Sequence, residues 1–278
     1  MKLVNGFKLM EYGKENGLLL PAFNTTNYEV TKGIIDGFDA MGLGGYIAIS
    51  SSNLKLSSPK IIADMVNSVM KDKSTPVSLH LDHGKSFKDV KACIDAGFTS
   101  IMVDASHLSF EENIKEVQRT VEYCHFFDIP VEAELGVIQG KEDDHVLEED
   151  AKTSSEDVRE FVEQTGCDLL AVSIGNVHGM ELTPNLDFPL LDEIAKKSSI
   201  PLVLHGGSGI PFDQVREAKK RNLIKVNYGS DLRQAFIRTY GKAYEKNHNE
   251  FNLMGLSQEA VKEVMGRVES IIEEVNVK

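Results

Sequence analysis

The sequence predicts a (β/α)8 TIM barrel with a C-terminal helical extension, and three observations favour this fold. Strand-like apolar runs alternate eight times with segments of helical period, and most of these strands are apolar along their whole length. Polar residues gather where the runs end. Strands covered by helices outside and filled by side chains inside lose the polar alternation of a half-exposed sheet. We therefore predict one barrel domain over residues 1–278.

Eight predicted strands alternate with eight predicted helices along the chain. The strands are residues 18–23, 45–50, 76–81, 99–103, 130–134, 168–173, 201–205 and 223–227, and the helices are 28–41, 59–70, 87–96, 110–127, 155–165, 189–197, 212–220 and 231–244. A final amphipathic helix is predicted over 258–274. The alternative is a doubly wound open sheet, in which G-x-G-x-x-G would follow the first strand. The first turn instead reads Asn24-Thr25-Thr26-Asn27, which favours the barrel.

Composition and charge exclude several classes of partner. The chain has 41% hydrophobic and 26% charged residues and a formal net charge of −13, whereas nucleic acids and anionic membranes require a basic face. No window approaches the roughly 18 apolar residues of a membrane span, and residues 1–14 lack the apolar core of a signal peptide. Cys93, Cys124 and Cys167 show no CxxC pairing, so we expect buried reduced thiols. These features predict a cytoplasmic protein.

Polar residues at the predicted strand ends form the candidate active site, because catalytic groups of this fold gather at the carboxyl ends of the strands. His83, His178 and His205 suit Zn²⁺, since three imidazole ligands leave a fourth position open for substrate. Asp104 and Glu134 could offer a second metal position, or form a salt bridge or a cap to a loop amide. The residues at these ends are Asn24, Ser50, Asp82, His83, Asp104, Glu132, Glu134, Ser173, His178, His205 and Asn227.

Two further strand residues have more than one interpretation. His80 lies three residues before His83, on the opposite side of the pleat, and is interpreted as a structural residue or as support for the metal ligands. Lys225 precedes the loop after the eighth strand and could be a Schiff-base nucleophile or a structural strand residue. The Schiff-base alternative predicts an aldolase that works without metal.

Two loops near the C-terminus are predicted to bind phosphate. Residues 206–209, Gly-Gly-Ser-Gly, follow the seventh strand; their glycines let backbone amides converge, and Pro211 suits the start of a helix. Residues 227–231, Asn-Tyr-Gly-Ser-Asp, follow the eighth strand with small and capping residues. The loops after strands seven and eight are the common phosphate site of this fold, although a tight turn explains each glycine cluster equally well.

The segment 139–152 interrupts the rhythm of strand and helix. It is a long, acidic, glycine-containing loop after the fifth strand. One interpretation is a lid over the active site. The other is a solvated run of charge without a specific role.

Several blocks of the sequence match one enzyme family in content and order. The blocks are residues 81–84 (LDHG), 96–107 (AGFTSIMVDASH), 131–136 (VEAELG), 177–179 (VHG) and 204–209 (LHGGSG). In these blocks the chain resembles the class II, metal-dependent ketose-bisphosphate aldolases, which include the fructose- and tagatose-bisphosphate enzymes. The resemblance runs from Pro21 to about Asp231.

The resemblance implies a metal centre and a phosphorylated substrate. His83, His178 and His205 would bind the catalytic Zn²⁺, with Asp104 and Glu134 as its alternative or second divalent site. The implied reaction is the reversible cleavage of a ketose bisphosphate to dihydroxyacetone phosphate and an aldehyde such as glyceraldehyde 3-phosphate. A homodimer or a higher homo-oligomer is also expected from the family.

The resemblance further implies which residues move protons and bind substrate. Asp82 looks like the catalytic acid/base, and Glu142 falls where the family has a mobile-loop glutamate that moves the proton on the carbon next to the carbonyl. This changes the interpretation of the acidic loop from a solvated run to a functional segment. The implied dihydroxyacetone-phosphate pocket, where related enzymes also hold a monovalent cation (Na⁺ or K⁺), comprises Gly179, Gly206, Gly207, Ser208, Asn227, Tyr228, Gly229 and Ser230, with minor contacts from Asn24 and Ser50.

The last quarter of the chain departs from the family pattern. Many members carry Asp-Pro-Arg near the C-terminus, where the arginine binds the far phosphate of the ketose, but residues 247–252 here lack it. Arg233, Arg238 or an arginine of a partner subunit could replace it. The alternatives are an aldolase for a ketose 1-phosphate with another far end, a metallohydrolase that releases phosphate, and a noncatalytic aldolase-like partner subunit.

Overall fold

The computed structural model describes residues 3–142, 145–147 and 151–277, of which 141, 142 and 145–147 are described by their backbone alone. The described residues form ten strands: Leu20–Asn24 (β1), Gly45–Ser50 (β2), Val77–Gly84 (β3), Ser100–Val103 (β4), Val131–Leu135 (β5), Gly140–Glu142 (β6), His145–Leu147 (β7), Leu169–Val172 (β8), Leu202–Leu204 (β9) and Leu223–Tyr228 (β10). Eight of them, all except β6 and β7, pair in parallel and close into a barrel in which β10 returns to β1. The predicted (β/α)8 barrel is therefore confirmed.

Helices precede, connect and follow the barrel strands. They are Gly6–Glu15 (α1), Tyr28–Met41 (α2), Pro59–Met70 (α3), Phe87–Ala96 (α4), Phe110–Phe126 (α5), Val158–Thr165 (α6), Phe188–Lys197 (α7), Phe212–Lys219 (α8), Ser230–Lys246 (α9) and Leu253–Val275 (α10). All eight predicted barrel helices are present, with ends that differ by up to three residues. The final helix begins at Leu253 rather than at residue 258, because the Asn252 side chain accepts a hydrogen bond from Gly255 N and caps it earlier.

Helix α1 was not predicted from the sequence. Asn5 caps it by accepting a hydrogen bond from Phe7 N at 2.8 Å. Leu9 and Met10 are buried in a cluster with barrel-lining residues such as Met102, so α1 closes the amino-terminal end of the barrel. In the described part of the chain, α1 therefore covers the end of the barrel opposite to the carboxyl ends of the strands.

The C-terminal helix α10 packs against the barrel helices. Gly33 and Gly37 of α2 approach it so closely that a Cβ atom at either position would lie 2.7 and 2.5 Å from the side chains of Val264 and Val268. Both valines are fully buried. The extension is thus part of the same hydrophobic core as the helical layer.

The acidic segment after β5 contains structure that the sequence did not predict. Strands β6 and β7 pair antiparallel, with Gly140 opposite Leu147, and Val137 and Ala151 exchange two backbone hydrogen bonds at the base of this hairpin. The predicted open loop is therefore a short β-hairpin over part of its length. Residues 143, 144 and 148–150 lie outside the described residues.

Candidate active site

Strand β3 carries Asp82 and His83 at the carboxyl end of the barrel and His80 deeper inside it. Period-two alternation turns His80 and Asp82 to the barrel interior and would turn His83 away from it. His83 instead has φ +46°, and the register between β3 and β4 shifts between Leu81 and Gly84. A bulge of this kind re-aims a side chain, and here it brings His83 into the mouth of the barrel.

His83, His178 and His205 meet in the mouth although they come from three separate segments. Their ring centroids lie 4.7 to 6.0 Å apart and their planes are edge-on to one another. One nitrogen atom from each ring can be chosen so that all three atoms lie within 4.8 Å of one another, and all three residues are buried. The structure thus brings together the three histidines that the sequence singled out.

The hydrogen bonds of His83 and His205 determine which ring nitrogens face each other. His83 Nδ1 lies 3.0 Å from Asp104 Oδ2, and His205 Nε2 lies 2.9 Å from Glu132 Oε1, so in the neutral rings these nitrogens carry the protons. The opposite nitrogens, His83 Nε2 and His205 Nδ1, then present lone pairs only 3.0 Å apart.

Two facing lone pairs repel each other unless a cation lies between them. Imidazole nitrogens about 2.0–2.1 Å from a tetrahedral zinc ion are about 3.3 Å apart, close to the separation of these two atoms. The donor set of His83, His178 and His205 therefore fits a divalent metal of borderline softness.

A second group of candidate ligands adjoins the first. Asp104 accepts hydrogen bonds from both the amide and the hydroxyl of Ser106, and Ser106 Oγ also lies 3.2 Å from Glu134 Oε1. His83, Asp104 and Glu134 also satisfy the geometry of a metal site. Burial alone would raise the pKa of Asp104, but the contacts with His83 and Ser106 hold that pKa below its usual range. Sequence reasoning gave Ser106 no role.

Asp82 is held between two amide side chains. Asn24 Nδ2 donates to Asp82 Oδ2 at 2.7 Å, and Asn227 Nδ2 donates to Oδ1 at 2.9 Å. Burial alone would raise the pKa of Asp82, but the adjacent rings of His83 and His205 and the ammonium of Lys225 hold that pKa below its usual range. The carboxylate is therefore ionised, fully buried and fixed in orientation beside the histidines.

The two glycine loops and the segment after His178 surround a small pocket. It is lined by Asn24, His178, Gly179, Gly206, Ser208, Asn227, Gly229, Ser230 and Arg233. Gly206 has φ +72°, and a Cβ atom there would lie 2.0 Å from Val177 O, so only glycine permits this approach of the loops. The pocket ends at the first turn of α9, where backbone amides favour anions.

Three predicted substrate contacts lie beside this pocket rather than in its lining. The Tyr228 side chain points into the core and packs against Phe23, with ring centroids 5.9 Å apart. Gly207 lies above Tyr228, where a Cβ atom would approach Tyr228 Cε1 to 2.8 Å. Ser50 is buried at the end of β2, in register with Asp82.

The hairpin that carries Glu142 is attached next to His178. Backbone N–H of His178 donates to Gln139 O at 2.8 Å. A Cβ atom on Gly140, which has φ +120°, would lie 2.3 Å from His178 O. Glu142 ends β6, and its side chain lies outside the described residues.

A wholly buried polar group lies below the mouth, and we call Glu132, Lys225 and His80 the inner polar layer. Lys225 Nζ lies 2.7 Å from Glu132 Oε2 and 3.4 Å from His80 Nε2, and His80 Nδ1 lies 2.8 Å from Ser100 Oγ. The ammonium of Lys225 is thus held by a carboxylate within the barrel and is absent from the pocket lining, which favours its structural interpretation over a Schiff-base role.

Arg238 and the three cysteines lie away from the mouth. Arg238 lines an open groove of about 1020 Å³ between α9 and α10, together with Lys242 and Glu263. The cysteines are buried and free, and burial raises the pKa of each thiol to about 12. No helix of the described residues is long and apolar enough to cross a membrane.

Comparison with known proteins identifies the family. The family model described as "Fructose-bisphosphate aldolase class-II" matches residues 4–278. A probable fructose-bisphosphate aldolase of Bacillus subtilis is 34% identical (96% of this chain, 97% of that protein), and a fructose-bisphosphate aldolase of Staphylococcus aureus is 36% identical (96% of both). The solved YdjI aldolase of Escherichia coli K12 is 30% identical with a TM-score of 0.86, covering 99% of this chain and 97% of that one. The chain therefore belongs to the class-II fructose-bisphosphate aldolases, the metal-dependent lyases that cleave ketose bisphosphates.

Proposed function

We propose that this site cleaves a ketose 1,6-bisphosphate of the fructose or tagatose type to dihydroxyacetone phosphate and glyceraldehyde 3-phosphate, and that its metal is zinc. The observation that carries the proposal is the approach of His83 Nε2 to His205 Nδ1 at 3.0 Å, beside an Asp82 carboxylate that two amide side chains hold in place. A cation site next to a fixed carboxylate supplies both charge stabilisation and proton transfer.

The proposed zinc ligands are His83, His178 and His205. Asp104 and Glu134 would hold an alternative or second divalent ion, since they share His83 with the first site. When bound, the zinc ion would act as a Lewis acid that polarises the C2 oxygen of the ketose. The Na⁺ or K⁺ ion expected from the family would lie in the phosphate pocket.

The proposed base is Asp82, which takes the proton of the C4 hydroxyl as the C3–C4 bond breaks. Asn24 and Asn227 leave this carboxylate little freedom to rotate, so its remaining lone pairs have a fixed direction. Glu142 is proposed to protonate C3. The attachment of its hairpin to the backbone of His178 supports this role, because it holds β6 beside the mouth.

The pocket lined by Gly206, Ser208 and Ser230 is proposed to bind the C1 phosphate. Arg233 reaches the same pocket, and its guanidinium supplies a fixed positive charge for a phosphate dianion. This position favours Arg233 as a ligand of the near phosphate, leaving the far phosphate to Arg238 or to an arginine of a partner subunit. We expect Arg233→Met to raise KM for every ketose phosphate, by about tenfold or more, with a smaller effect on kcat.

The function is tested by an enzyme-coupled assay for dihydroxyacetone phosphate release. Fructose 1,6-bisphosphate, tagatose 1,6-bisphosphate and their 1-phosphates are offered, before and after chelation and after zinc is restored. Release from a bisphosphate, lost on chelation and restored by zinc, is expected. No release from any of these sugars would refute the proposal, and faster release from a 1-phosphate would favour the alternative substrate, which the comparisons do not favour.

We also propose a homodimer or a higher homo-oligomer, a single domain over residues 1–278, and a cytoplasmic location. Exposed apolar side chains on α9 and α10, including Ile237, Tyr244 and Leu253, offer a contact surface for a second copy. Light scattering measures the assembly directly, and a monomer at micromolar concentration would contradict the first of these expectations.

A further inference from the structure

The inner polar layer is connected to the metal site through one histidine. Glu132 uses its two oxygens differently: Oε1 lies 2.9 Å from His205 Nε2, and Oε2 lies 2.7 Å from Lys225 Nζ. Glu132, Lys225 and His205 are fully or almost fully buried, on or directly after β5, β10 and β9. The contact is therefore between rigid strands of the barrel rather than between loops.

Glu132 determines which nitrogen of His205 can bind a cation. A carboxylate accepts hydrogen bonds only, so His205 Nε2 must carry the proton and Nδ1 must carry the lone pair. His205 Nδ1 is the atom that faces His83 Nε2, and Asn227 Nδ2 lies 3.3 Å from it as a donor. The hydrogen bond also fixes the ring plane, because a rotated imidazole would lose it.

Lys225 in turn determines where Glu132 points. A free buried carboxylate so close to the histidines would compete for the cation or remain costly to bury. The Lys225 ammonium donates a hydrogen bond to the second oxygen of Glu132. Lys225 is in turn positioned by His80, whose Nδ1 contacts Ser100. The chain of contacts thus runs from the barrel interior to a single proposed metal ligand.

We propose that Glu132 and Lys225 are positioning residues for metal binding, which hold His205 as an Nδ1 ligand of the cation. This inference rests on the proposed metal site and adds two residues to which sequence reasoning assigned no such role. Loss of a carboxylate behind a metal-binding histidine weakens metal affinity by about 10- to 100-fold.

The test is the zinc dissociation constant of the full chain, measured by competition with a chromophoric chelator. The double variant Glu132→Gln/Lys225→Met removes both charges of the buried pair together, so that neither is left alone. Glu132→Asp keeps the charge but shortens the side chain, which then cannot reach both His205 and Lys225. Asp36→Asn/Lys73→Met, at an ion pair of 2.9 Å on the outer surface, makes matched charge changes away from the barrel.

We expect the zinc dissociation constant to rise about 10- to 100-fold in both Glu132 variants and to stay unchanged in the surface control. Cobalt substitution gives a second readout, because a reoriented His205 alters the visible absorption of bound Co²⁺. If the double variant fails to fold, Glu132→Asp alone decides the result. Unchanged zinc affinity and cobalt spectra in the folded variants would overturn the inference.

The wild-type protein and His205→Ala separate this failure from a failure of the proposed function. The metal site itself would be refuted if the wild type did not bind zinc tightly. It would also be refuted if His205→Ala still bound zinc tightly. Tight binding in the wild type, loss in His205→Ala and full retention in the Glu132 variants would refute only the positioning role.

Discussion

The inner polar layer and the mouth are both built from buried polar side chains, but their hydrogen-bonding differs. In the inner polar layer, the carboxylate of Glu132 and the ammonium of Lys225 meet partners within the protein at normal distances. In the mouth, ring nitrogens of His83 and His205 approach each other to 3.0 Å at the open end of the barrel. A buried ion pair enclosed by strands stabilises the fold, whereas clustered imidazole nitrogens at the open end of a barrel are typical of a metal-binding site.

The comparison also separates two consequences of mutation. Changes in the mouth should reduce activity and cost little stability, since active-site side chains are selected for function rather than for stability. Changes in the inner polar layer should reduce stability first, because they leave a buried charge alone.

The largest expected effect is that of His83→Ala on activity. Loss of a ligand should abolish tight zinc binding and lower kcat/KM by about 10⁴-fold, which corresponds to about 5 kcal/mol of transition-state stabilisation. The free energy of unfolding of the metal-free protein should change by about 1 kcal/mol or less, since Asp104 keeps two hydrogen bonds from Ser106. Coupled kinetics and urea unfolding measure the two quantities, with the exposed His107→Ala as control. Retained activity would contradict the assignment of the mouth.

The next effect is that of Asp82→Asn on turnover. An amide cannot take the hydroxyl proton, so kcat should fall by about 10³-fold. Zinc affinity should change much less, because Asp82 is not a proposed ligand. Steady-state kinetics and the chelator competition are compared in the same preparation. A parallel loss of zinc would assign Asp82 to the metal site instead.

Lys225→Met tests the inner polar layer by stability. It leaves the Glu132 carboxylate buried without its cation, and the free energy of unfolding should fall by about 3–5 kcal/mol. The double variant with Glu132→Gln should recover most of this loss. Urea unfolding in excess chelator measures both. Equal stability of the single variant and the wild type would show that the buried pair contributes nothing to folding.

The smallest effect is the pH dependence that His80 confers. Burial, together with the charge of Lys225, lowers the pKa of His80 to about 3 in the fold. Between pH 6.5 and 3 the unfolded chain binds a proton that the folded chain does not, so stability falls as the pH falls, by about 1.4 kcal/mol per pH unit. His80→Asn retains a partner for Ser100 and should remove that slope. Urea unfolding from pH 6.5 to 5.0 checks this, with the exposed His248→Asn as control.

Local patterns in the sequence are sufficient to predict the barrel and most of the residues of the candidate site. The alternation of strands and helices follows from period and composition, which neighbouring residues determine. His178, His205 and Asp82 follow from their places at strand ends, because every strand of a closed parallel barrel ends at the same rim. Helix α1 was missed because a short amphipathic segment before the first strand carries no local sign that it will close a barrel.

The sequence by itself therefore determined the fold class, the family and which polar residues surround the mouth. Only the tertiary structure decided how they act on one another. Alternation would have turned His83 outward, and the bulge at φ +46° reverses this. Glu132 and His205 are 73 residues apart, and their hydrogen bond depends on barrel closure rather than on a local pattern. Spacing along a strand predicts the face to which each side chain points. Contacts between strands depend on the register of the strands and on register shifts, which only the assembled barrel defines.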